Sequence, residues 1–275
     1  MEEMDALERR LLPPKAKGTP DEFFLLATRR GSLAESEAGT DREQQHLALA
    51  AFFGGRAFQA GERDADRLSA FLALFRRAQA KQCFPLQLQI VQARIVNHLR
   101  VSGGASEPKV LTKKAKTVFT HVAMYMISDA HTFDEISDDD KQWSDDKGMQ
   151  ATVHAGQGLF ISTGADGWVR HELRVVDGDD LALLSREYKD LSSSAEPVLL
   201  AVPSGVVRLG QPLANAEECL DVKVEPGVYR VAMYNLKYGE KCVIVANRTD
   251  LGNALNELPN GATRYGQSTA GILVT

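Results

Sequence analysis

Lys116-Thr-Val-Phe-Thr-His-Val-Ala-Met-Tyr-Met-Ile127 opens the part of the chain in which the period of the pattern becomes two. That period puts one side of an extended chain against a core and the other toward water. The stretch therefore predicts a long β-strand. Further strands are expected at residues 150–154, 158–163, 168–176, 197–203, 206–209, 219–224, 228–236 and 241–246. Turn signals such as Thr163-Gly-Ala-Asp-Gly167 and Asp177-Gly-Asp179 separate them. Many short strands at such spacing predict a mainly antiparallel β-sandwich or open barrel. Short helices are expected at 180–191 and 250–258. Val118-Phe-Thr-His-Val-Ala-Met-Tyr125 echoes Val228-Tyr-Arg-Val-Ala-Met-Tyr234. Two readings stay open for this echo: convergent β-rich words, or equivalent core strands of two packed sheets.

Upstream, Val101-Ser-Gly-Gly-Ala-Ser-Glu-Pro108 reads as a linker, and before it the period becomes 3.6. Thr19-Pro20-Asp21-Glu22 opens a helix that Gly31 is expected to stop. Thr40-x-x-Glu43 predicts a capping box for a second helix, ended by Gly54-Gly55. Leu68, Phe71, Leu72 and Phe75 recur at helical spacing within 62–82, and Leu86, Ile90, Ile95 and Leu99 do so after Pro85. The expectation is an α+β, two-domain chain: a helical bundle over 1–104 and a β-rich domain over 105–275.

The chain has 275 residues, 44% hydrophobic and 25% charged, with 32 basic and 37 acidic side chains and a formal charge of −5. A core of ordinary size is affordable, and disorder is excluded. Net acidity argues against direct nucleic-acid binding through overall charge. No apolar run approaches a membrane span, so no membrane partner is expected. Cys83, Cys219 and Cys242 are too few and scattered for a disulfide framework, and the opening MEEMDALERR lacks a signal-peptide pattern. Together these predict a cytoplasmic protein.

The motifs of familiar chemistries are missing. There is no G-x-S-x-G elbow and no phosphate-binding P-loop. Gly156-x-Gly158 lacks a third glycine and reads as a hairpin between strands. His171-Glu172 has Val175 where a zinc-protease helix would place histidine, and reads as a satisfied surface or cross-strand histidine. Asp177–Asp180 reads as a solvated turn leading into a helix. The six histidines show no ligand spacing. No catalytic residue, metal or cofactor is expected, and the chain reads as a non-enzyme.

The densest charge feature lies between Asp129 and Asp146. Asp134, Glu135, Asp138, Asp139, Asp140, Asp145 and Asp146 crowd there, opposed within the run by Lys141, with Trp143 among them. A solvated face is the ordinary fate of such a run. Its functional reading is a partner surface, with carboxylates steering a basic protein and Trp143 as the desolvated anchor.

The order of parts, with His131-Thr-Phe-Asp134, Trp143, Gly164-Ala-Asp-Gly-Trp168 and Val202-Pro-Ser-Gly-Val-Val-Arg-Leu209, resembles two-domain immunity proteins of bacterial type VI secretion toxin–immunity pairs. The resemblance implies a cytoplasmic inhibitor of a cognate protein toxin, with a basic nuclease the first expectation. It carries over no functional residue. Two other classes remain. A ligand-binding sandwich for sugar or peptide would use Trp168 or Tyr234. A hydrolase would need His121, His154 or His171 beside a carboxylate.

Overall fold

The computed structural model describes residues 2–249 except Pro14, 85–87 and Asp179, together with the backbone strand Ile272–Val274. Pro85 and the helix expected over 250–258 lie outside the described residues. The chain divides into two compact units, Met1–Ser106 and Glu107–Thr275.

The first unit is a helical bundle of α1 (Glu2–Leu11), α2 (Pro20–Ser36), α3 (Asp41–Gln59), α4 (Ala65–Ala80) and α5 (Gln89–Ser102). At the start of α2, Thr19 accepts from the Glu22 amide and Glu22 reaches back to the Thr19 amide, with Pro20 at the first helical position. The box expected at Thr40 does not form. Thr40 donates its hydroxyl to the Glu37 carbonyl, and Glu43 turns to the Gly39 amide and Lys81. Gly31, Gly54 and Gly55 lie inside helices and end none of them. They thin the helix surface where others pack. A Cβ on Gly54 would lie 3.0 Å from the Phe71 ring, and one on Gly31 would lie 3.0 Å from Leu74. Phe23, Leu26, Leu47, Phe53, Leu68, Phe71 and Phe75 share one buried core.

The second unit is a β-sandwich. One sheet runs β1 (Val110–Thr120), β4 (Gly167–Val176), β9 (Lys241–Thr249), β8 (Gly227–Leu236) and β5 (Leu191–Val202). The other runs β10 (Ile272–Val274), β3 (Gly158–Ser162), β2 (Met124–Asp129), β6 (Val206–Gly210) and β7 (Leu220–Lys223). Pairing is antiparallel except β4 with β9 and β10 with β3. Inward residues of both sheets, including Ile127, Leu173, Leu200, Val207, Val231 and Ile244, form one core. The gap they line holds only about 10 Å³, room for a water and not for a ligand.

The strand expected across 116–127 is two strands in different sheets. Thr120 Oγ1 accepts the Val122 and Met124 amides and donates to the Met124 carbonyl, which folds the chain into a corner. Ala123 takes φ +53° there. A side chain that offers the backbone local partners competes with the ladder. The echo of 118–125 at 228–234 therefore joins unlike elements, since β8 stays within one sheet.

Residues 150–154, expected as a strand, belong to α7 (Asp146–His154), which Asp145 caps. Gly156 consequently follows a helix and no hairpin forms there. The helix expected over 180–191 is reduced to a 3-10 turn, Ser185–Asp190.

Candidate functional site

The acidic run folds into a compact collar at the end of β2. Asp129 is fully buried. It caps α6 (Ala130–Asp138) by accepting the His131 amide, and it also accepts from the amide and hydroxyl of Ser204. One carboxylate thus fixes the entry of α6 and the β5–β6 turn together. Phe133 and Ile136 bury the inner face of α6. A 3-10 turn, Asp140–Gln142, then leads to α7. A Cβ at Gly148 would overlap the Lys141 carbonyl, so only glycine lets α7 start against this turn.

The seven exposed acids divide into two kinds. Asp139 accepts from the Lys141 amide and the Gln142 side chain, and Asp145 accepts from the Gly148 amide. Asp134 pairs with Arg208 at 3.1 Å. Arg208 is otherwise clamped on both oxygens of Asp221, at 2.9 Å each. These three acids build the collar. Glu135, Asp138, Asp140 and Asp146 are exposed and make no side-chain hydrogen bond or ion pair among the described residues. They are the carboxylates left for another molecule. Trp143 is half-buried, packs on the sandwich core and donates Nε1–H to the Ser137 carbonyl at 3.4 Å. Its ring chiefly supports the collar from below and leaves little to anchor a partner.

The three histidines that a hydrolase would need are not arranged for acid–base work. His121, His154 and His171 meet no carboxylate among the described residues. His171 is fully buried, not a satisfied surface residue, and neither ring nitrogen has a partner. It packs edge-on to Tyr125 at 4.2 Å. Burial pushes its pKa down to about 3. Its neighbour across the ladder, Cys242, is pushed up to about 12 by burial. The neutral forms are favoured on both, opposite to an activated thiolate–imidazolium pair. No group of three or more His, Cys, Asp or Glu residues is placed to hold a metal among the described residues.

One feature escaped the sequence reading: an ionic cluster on the outward side of β4. Buried Arg174 binds both oxygens of Glu187 at 2.6 Å and Glu172 at 2.5 Å. Lys113 and Lys241 reach Glu172 at 3.0 and 3.1 Å. Burial alone would raise the Glu172 carboxyl, but hydrogen bonds from Lys113, Lys241 and Arg174 hold it down at about 2. The cluster straps the 185–190 turn onto the sheet. Strand alternation places Glu172 and Arg174 on one face, yet nothing in the sequence shows that 185–190 covers them.

Of the two residues named for a ligand-binding sandwich, Trp168 forms part of an exposed aromatic step. Trp168 is 68% exposed and packs edge-on to Phe119 at 4.9 Å, and Phe119 meets His121 at 4.5 Å. Phe119 and Trp168 sit opposite each other on the paired strands β1 and β4, and His121 follows just beyond the end of β1. Tyr234, by contrast, is half-buried and donates its hydroxyl to the Leu181 carbonyl.

No family model matches the chain, and no curated protein matches it. Among solved structures, it is similar to one described as "Crocagin biosynthetic gene J", with a TM-score of 0.38 and 12% identity over 50% of this chain and 99% of that one. A likeness at that level extends to no shared site or activity.

Proposed function

We propose that this protein is a non-enzymatic immunity protein that binds and neutralises a cognate type VI secretion toxin in the cytoplasm of the producing cell. The observation that carries the reading is the collar: Glu135, Asp138, Asp140 and Asp146 stand unpartnered on a platform fixed by Asp129, Asp139, Asp145 and Arg208. A fixed set of like charges steers an oppositely charged protein and spends little entropy on docking. A nuclease fits this description, because its own surface must attract phosphate. Cys83, Cys219 and Cys242 are all unpaired, which suits a reducing compartment. No helix among the described residues is long and apolar enough to cross a membrane.

The test is co-expression with the product of the neighbouring gene, followed by purification and a nuclease assay. A stable complex with nuclease activity abolished is the expected result. Failure to form a complex, or hydrolytic activity intrinsic to this chain, overturns the reading.

The exposure of Trp168 favours a second reading, a ligand-binding sandwich without catalysis. Its ring packs on Phe119, which in turn meets His121, and this step offers an apolar surface with a polar edge, as sugars and peptides require. Loss of sugar or peptide binding in Trp168→Ala, with toxin neutralisation absent in the wild type, would select it.

A further inference from the structure

The helical unit carries a cleft of about 470 Å³ lined by Lys15, Ala16, Lys17, Gly18, Phe23 and Arg56, with Gln59 and Ala60 at its margin. That size matches small-molecule sites. Its lining has three cations and no carboxylate. Arg56 is held in place: it donates to the carbonyls of Pro13 and Ala16 and lies over the rings of Phe23 and Phe52, at 5.0 and 5.7 Å. These contacts orient the guanidinium. Lys15 and Lys17 are exposed and make no hydrogen bond or ion pair among the described residues. The C-terminus of α3, which ends at Gln59, offsets about half a charge. Lys15 and Lys17 alone still leave an excess above one positive charge.

We propose that this cleft binds a phosphate group, free or carried by a small phosphomonoester. A phosphate offers acceptors to the ammonium groups of both lysines and complements their charge. The apolar wall of Ala16 and Phe23 would favour an ester over inorganic phosphate. The proposal stands apart from toxin binding, since it uses only the helical unit.

The test is calorimetric titration of the full chain with inorganic phosphate and, separately, phenyl phosphate, at constant ionic strength. Three proteins are compared: wild type, Lys15→Glu with Lys17→Glu, and a control of equal charge change, Arg76→Glu with Lys223→Glu. Circular dichroism checks folding, and Lys15→Ala with Lys17→Ala replaces the charge reversal if that variant unfolds. The expected result is saturable binding of at least one probe with a Kd below about 10 mM, weakened at least about tenfold in the cleft variant and under about threefold in the control. Any result short of that separation overturns the proposal. Tighter binding of phenyl phosphate assigns the site to an ester, and equal or tighter binding of phosphate assigns it to the free ion.

Discussion

Arg208 holds Asp134 at 3.1 Å while its Nε and Nη2 bind Asp221 at 2.9 Å, so one guanidinium ties α6 to the paired strands β6 and β7. Asp221 is the principal cause of the raised Arg208 pKa. Arg208 is nearly buried, whereas Asp134 is largely exposed. Replacing Arg208 by Met is expected to cost about 1–2 kcal/mol, after allowing for solvent screening. Asp134→Asn should cost under about 0.5 kcal/mol. Urea midpoints of the two variants check the order.

Gly148→Ala sets a methyl group against the Lys141 carbonyl. Backbone cannot yield as a flexible side chain does. The expected loss is about 1–3 kcal/mol, with the turn at 140–142 displaced. Thermal unfolding and the near-ultraviolet signal of Trp143 report the two effects.

His171 makes the β-unit sensitive to acid. Its folded pKa is near 3 against an ordinary 6.5. Below pH 6.5 the unfolded imidazole takes up a proton that the folded one refuses. Stability is therefore lost as pH falls from 6.5 toward 3, at up to about 1.4 kcal/mol per unit. Glu172, with a folded pKa near 2 against 4.5, adds to this loss only below pH 4.5. His171→Leu should flatten the stability profile between pH 6.5 and 4.5. An unchanged slope would show that the acid response lies elsewhere.

The Arg174 cluster should behave as a unit. Arg174→Met leaves the buried carboxylates of Glu172 and Glu187 facing only Lys113 and Lys241. A loss of about 3–5 kcal/mol is expected. Replacing Glu172, Arg174 and Glu187 together by apolar residues should cost much less, because no unpaired charge is left behind. Denaturant titration of both variants distinguishes the cases.

Most of this architecture is written locally. The capping box at Thr19, the apolar spacing of Phe71 and Phe75, the alternation of β4 and the apolar runs of β8 and β9 are each readable from neighbours along the chain. The departures occur where distant partners intervene. Glu43 is drawn from its cap by Gly39 and Lys81. Gly31 and Gly54 are small because Leu74 and Phe71 press on them. The corner at Thr120 has β-forming residues on both sides and no glycine or proline, so nothing in the sequence marks it. At the collar, exposure of the acids follows from composition. Asp134 and Asp145 become builders through Arg208 and Gly148, which lie outside the run of acids, and Asp139 through Lys141 and Gln142 within it.

The central claim is that the free carboxylates of the collar dock a basic protein partner. Its most direct test is the association rate of the toxin complex for wild type and for Asp138→Lys with Asp140→Lys, measured from low to high salt. A rate about tenfold or more lower in the variant at low salt, converging with wild type at high salt, is the predicted result. Equal rates and affinities at every salt concentration would contradict it.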